Sequence, residues 1–139
     1  KDNVLLKKST IQLELKAKYD SQKRKEILES WLRAKLRSRL IPFIEKWENQ
    51  LGVKAKECKI KKMKTKWGSC NQEVMRVWFN LELSKVDDYA LDYVVMHELA
   101  HLKIRNHGKQ FIQILNKNMS DWEQRKAQLN ETILEFNNA

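Results

Sequence analysis

The only histidines of this chain are His97, His101 and His107, all within the run HELAHLKIRNH. On an α-helix, positions four apart stand one above the other on the same face, so His97 and His101 can aim a ring nitrogen at one point. A divalent cation suits that point. Zinc suits it best, because neutral imidazole is a preferred zinc ligand and catalytic zinc sites take three protein ligands while leaving a fourth position for water. Glu98 sits about a hundred degrees round the helix from His97, close enough to the open side to hold that water without ligating, the place of a general base. His107 follows an expected helix end, where His107-Gly108 lets the chain turn back and swing the ring toward the same ion.

The element that must carry these groups is the run from Tyr89 to Leu102, which is nearly all apolar and predicts a helix enclosed on most sides. Two histidines and a glutamate are costly to bury there without a partner, and a metal is such a partner. Ser84-Lys85-Val86-Asp87 reads as a capping box opening that helix, and Lys103, Arg105 and Asn106 bring it to an end. A second helix from Lys109 carries Phe111, Ile112 and Leu115; a third from Ser120 or Asp121 carries Trp122, Leu129, Ile133 and Phe136. Both read as packing elements.

Upstream, Val4 to Leu15 alternates with period two and predicts a half-buried strand. Asp20 and Ser21 are plausible N-caps for a long amphipathic helix over Ser21 to Gln50, whose apolar stripe includes Leu32, Leu36, Leu40, Ile44 and Trp47. Pro42 should kink it or start a second helix, and Gly52 should end it. Lys54 to Lys66 reads as a strand with a solvated lysine face and a bulge between Ile60 and Met63. Trp67 to Cys70 leads through a turn at Asn71 and Gln72 into the clearest strand, Val74 to Leu81. Met75, Val77, Phe79 and Leu81 would face the core, with Arg76, Trp78 and Asn80 outward. The strands flanking that turn should pair as an antiparallel hairpin.

A length of 139 residues fits one domain spanning 1–139, large enough for a real core. The chain opens on Lys1 rather than Met, so a fragment or a processed chain is expected. There is no apolar stretch approaching a membrane span and no apolar core or cleavage site of a signal peptide, so no membrane partner and a cytoplasmic location are expected. Cys58 and Cys70 read as reduced thiols. Cys70 lacks a further histidine to activate it as a nucleophile. A net charge of +10 attracts nucleic acid, anionic membrane or acidic partners without choosing among them. For the Lys54–Lys66 stretch, a lysine face that discourages edge aggregation is the simpler reading. A nucleic-acid track is the other, against which stands the scarcity of aromatic residues beyond Trp67.

The ordered series KTKWGSC (Lys64 to Cys70), a strand ending at Asn80-Leu81, DYVVMHELAHL (Asp92 to Leu102) and NHGKQF (Asn106 to Phe111) resembles the YgjP-like metallopeptidase domain, a relative of the SprT and WLM zinc proteases. The likeness runs from Ile27 to Leu129. It implies an α+β, zincin-like fold: a long N-terminal helix, a small mostly antiparallel sheet, a buried active-site helix and C-terminal helices. It also implies His97, His101 and His107 as ligands of one zinc ion per chain, with Glu98 as base and acid. The chain departs from the pattern at Lys66, where the family usually has arginine, at Val86, where proline is common, and at Gly108 and Ile112, none of them a proposed ligand.

The expected function is therefore a zinc-dependent metalloendopeptidase that hydrolyses peptide bonds of peptide or protein substrates, with a zinc-held water activated by Glu98. Tyr89, Tyr93, Arg76 and Arg105 are candidates to stabilise the oxyanion. Substrate should lie extended along the sheet edge nearest the cleft. Two rivals remain: a DNA-associated protease of SprT type, and a binding module in which the metal is structural. The second would need a fourth protein ligand such as Asp121 or Glu123.

Overall fold

The computed structural model describes residues 10–11 and 20–132. The strand expected over 4–15 lies outside them apart from Thr10 and Ile11, which are helical; Ile133 and Phe136 lie outside as well.

The first long helix, α1 (Ser21–Leu51), starts where Asp20 accepts a hydrogen bond from the Lys23 N–H. It ends at Gly52, whose left-handed φ of 69° is the conformation glycine adopts without a Cβ penalty. Leu36, Leu40, Trp47 and Leu51 form its buried stripe at spacings of three to four and their sums. Of the two outcomes expected at Pro42, a second helix does not start there: one helix runs through it.

Three short strands follow, β1 (Glu57–Lys61), β2 (Gly68–Asn71) and β3 (Arg76–Asn80), in the order β1-β3-β2. The hairpin of β2 and β3 is antiparallel, as its turn predicts, whereas β1 pairs with β3 in parallel, so the small sheet is mixed. The Lys54–Lys66 strand is shorter than expected: it ends at Lys61, and no bulge joins Ile60 to Met63. Met75 is not a strand residue either. Its φ of 54° closes the turn, and pairing with β2 begins at Arg76.

Asn80 is the other correction, since alternation assigns it to the outer face and the structure buries it completely. Its amide nitrogen donates to the Met63 and Lys66 carbonyls at 2.9 and 2.7 Å, and its oxygen accepts from the Glu82 N–H at 3.0 Å. A fully bonded amide is cheap to bury. Its effect is to fasten the 62–67 connection, and hence the start of β2, to the end of β3.

A 3₁₀ turn (Leu81–Lys85) then leads to α2 (Asp88–Ala100). The cap is Asp87, which accepts from the Ala90 N–H, and not Ser84, which belongs to the 3₁₀ turn. Two further helices, α3 (Lys109–Asn118) and α4 (Trp122–Glu131), complete the described chain.

The buried cluster joins Leu36, Leu40 and Trp47 of α1, Val77 and Phe79 of β3, and Leu91, Val95 and Leu99 of α2. A polar tie crosses the helices. Asp92 of α2 accepts from the Trp47 Nε1 at 2.6 Å, the Lys46 Nζ at 2.9 Å and the Arg125 Nη1 at 3.3 Å, binding α1 and α4 to the same carboxylate. Among the described residues no helix is long and apolar enough to cross a membrane.

Candidate metal centre

The second half of α2, the turn that follows it, the β2 edge and α4 enclose a cleft of about 440 Å³. Ala100 is the last residue of α2, but His101 at its cap keeps helical angles (φ −67°, ψ −15°), so the one-turn register with His97 survives. Beyond it, Asn106 Oδ1 accepts from the Gly108 N–H at 3.1 Å, and this tight turn presents His107. A Cβ at Gly108 would stand 2.9 Å from the same oxygen, which glycine avoids.

The three rings meet. The Nε2 atoms of His97 and His101 are 3.3 Å apart, those of His101 and His107 3.0 Å, and those of His97 and His107 3.3 Å. Nitrogens at ~2.0–2.1 Å from a tetrahedral ion stand about 3.3 Å from one another, so the spacing matches three corners of a zinc tetrahedron. His101 Nδ1 lies 3.0 Å from the Ile104 carbonyl. A carbonyl only accepts, so that nitrogen carries the proton and the Nε2 lone pair is free. His97 Nδ1 lies 3.1 Å from the Tyr93 hydroxyl, a contact that orients the ring. Phe111 of α3 underlies the cluster, stacked on His101 at 4.3 Å and edge-on to His97 and His107 at 5.1 Å each.

Electrostatics push the same way. Burial, reinforced by the nearby His101, His107 and Lys126, pushes the His97 pKa down to about 3, and burial lowers that of His101 as well. Neutral imidazole is the ligating form. Glu98 is buried, and desolvation raises its carboxyl to about 8 against a smaller lowering by the Lys66 ammonium. Converging lone pairs beside a desolvated carboxyl form a donor set that a divalent cation fits.

Gly68 of β2 abuts that carboxyl. A Cβ there would come within 2.8 Å of Glu98 Cγ and 3.0 Å of its Oε2, so the strand approaches this closely only because the residue is glycine. The register also fixes which backbone groups face the cleft. Asn80 N–H donates to the Trp67 carbonyl, and in an antiparallel ladder such pairs alternate, so Gly68 and Cys70 turn their N–H and C=O away from β3 toward the open edge.

Of the expected oxyanion helpers, Tyr93 and Arg105 line the cleft. The other two lie elsewhere. Tyr89 bonds to Asp121 at 3.1 Å, and Arg76 pairs with Glu57 at 3.2 Å. Asp121 is also held by Arg125 at 2.9 Å, and among the described residues the candidate metal group consists of the three histidines.

Sequence reasoning missed Gly68, Lys66 and Lys126 as cleft residues. A glycine inside a strand is a signal of close backbone approach and was available at Gly68; no sequence pattern places a lysine of α4 opposite the histidines. In the basic stretch, Lys54, Lys59 and Lys62 are paired with Glu48, Glu57 and Glu29. Cys58 and Cys70 both stand opposite Val77 from the two edges of the sheet. Two strand spacings, about 9.5 Å, separate them, too far for a disulfide. Burial raises both thiols to about 11, so Cys70 faces the cleft as a neutral thiol.

The family model of the YgjP-like metallopeptidase domain matches residues 1–132. Among solved structures, the chain is similar to jannalysin, a metallopeptidase zymogen of Methanocaldococcus jannaschii, with a TM-score of 0.57 and 23% identity over 65% of this chain and 92% of that one. At that identity the likeness is one of fold. A comparison with curated proteins gave no match.

Proposed function

The chain belongs to the YgjP-like metallopeptidase family, and from that footing we propose that it is a zinc-dependent endopeptidase whose ligands are His97, His101 and His107 and whose base is Glu98. The observation that carries this reading is the convergence of three Nε2 atoms within 3.3 Å beside a buried carboxyl. When bound, zinc supplies a Lewis acid that acidifies water, polarises the scissile carbonyl and favours the ionised form of Glu98.

The chain's own groups do the rest. A Glu98 carboxylate oxygen takes the proton of the attacking water and delivers it to the departing amide nitrogen, so one residue is base and then acid. His101 is held in the ligating tautomer by the Ile104 carbonyl, and the His97 ring is oriented by the Tyr93 hydroxyl. An extended peptide adds to the free edge of β2 through the Gly68 and Cys70 backbone groups, which sets its scissile bond next to Glu98. Gly68 keeps that edge and the base in contact.

Zinc-loaded protein should cleave an unstructured protein substrate such as casein. Glu98→Gln should keep about one zinc per chain and lose turnover by a factor on the order of 10³ or more. Turnover surviving in Glu98→Gln would remove Glu98 from the chemistry; loss of the zinc with it would make the carboxylate a ligand.

A further inference from the structure

The cleft is lined by more cationic than anionic side chains. Lys66, Arg105 and Lys126 line it, and Glu98 is the one carboxylate among the lining residues. Arg105 is partly offset by Glu73 at 3.5 Å. Lys66 and Lys126 are exposed and form no ion pair among the described residues.

The two lysines bracket the reacting groups. Lys66 precedes the β2 edge on the Glu98 side, where the Asn80 amide fixes its backbone by donating to the Lys66 carbonyl at 2.7 Å. Lys126 projects from α4 and lines the same cleft as His97 and Glu98. A half-enclosed cleft focuses such a field, because its walls screen less than bulk water does.

We propose that Lys66 and Lys126 make this a site for acidic peptides, each ammonium receiving an Asp or Glu side chain flanking the scissile bond. This selectivity rests on the peptidase reading above. It follows from the placement of the peptide: a chain laid along Gly68 to Cys70 passes Lys66 at one end of the edge, and α4 presents Lys126 across the cleft. A basic side chain in either place meets an unpaired like charge, so discrimination comes from repulsion as well as attraction.

The test uses two quenched fluorescent peptides, identical except for Glu or Lys on both sides of the cleavage point. Their kcat/KM values are measured with zinc-loaded protein, and their binding to Glu98→Gln protein is measured by anisotropy. The acidic peptide should be preferred about tenfold in both at low ionic strength, with the preference fading toward 1 M salt. Lys66→Gln with Lys126→Gln should bring the ratio near one, and Lys66→Glu with Lys126→Glu should invert it. Equal handling of the two peptides, or an equal loss for both in the reversed variant, overturns the proposal while leaving hydrolysis standing. Preferential binding of the acidic peptide with cleavage of neither supports the selectivity and sinks the peptidase reading.

Discussion

Tyr93 is the residue whose role is easiest to isolate. Its hydroxyl lies 3.1 Å from His97 Nδ1, and burial, with the Glu98 charge second, raises the phenol to about 12, so it meets the imidazole as a neutral hydroxyl. Partners of this kind fix ring orientation and ligand basicity. Tyr93→Phe keeps the ring, which stacks on Trp122 at 6.2 Å, and removes only that oxygen. Zinc affinity measured by chelator competition should fall about 10- to 100-fold with the thermal stability of the metal-free protein little changed. Unaltered affinity would mean that packing alone orients His97. At this scale the sequence was most legible. Spacing alone brought His97 and His101 together, because the helix period is a geometric constant. His107 depended on the Asn106–Gly108 turn, for which the sequence offered a glycine but no angle.

Among the elements, β2 and α2 form the pair on which the site turns, and Gly68 is where they touch. Gly68→Ala places a methyl carbon 2.8 Å from Glu98 Cγ, and either the strand or the carboxylate must move. Displacing a catalytic group by about 1 Å costs on the order of 10²-fold in rate. We therefore expect a kcat/KM loss of that order with zinc stoichiometry unchanged, since none of the three histidines borders Gly68 as Glu98 does. A variant with normal activity would show that the close approach is incidental. The long helix, its Asp20 and Gly52 ends, the β2–β3 hairpin and the buried helix were all legible from period and caps. The parallel pairing of β1 was not, because strand order depends on which strand is most apolar on both faces, and β3 takes the centre with Val77, Phe79 and Asn80 all buried. Nor was the burial of Asn80, whose partners are carbonyls of a connection with no pattern of its own.

For the molecule as a whole, one cleft ties stability to pH. The metal-free fold holds Glu98 protonated up to about 8, while the unfolded chain ionises it near 4.5. A carboxyl raised in this way contributes stability below its unfolded pKa and loses it as pH rises through the folded one. Glu98→Gln removes that loss. In metal-free protein, the melting temperature of Glu98→Gln relative to wild type should therefore rise steadily from about pH 4.5 to about pH 8 and then level off; a flat difference would mean that Glu98 is ionised in the fold. His97 acts in the opposite sense. With its folded pKa down at about 3, its contribution is present above its ordinary value of 6.5 and is lost as pH falls toward 3. A bound cation favours both the ionised Glu98 and the neutral His97, so it eases the loss on the alkaline side and steepens the loss on the acid side, which links the fold's pH range to its metal. X-ray absorption at the zinc edge of loaded protein tests the proposed ligand set most directly. Three imidazole nitrogens at about 2.0 Å and one further light atom should surround the ion. A sulfur ligand from Cys70, or only two imidazoles in the fit, would contradict the three-histidine site.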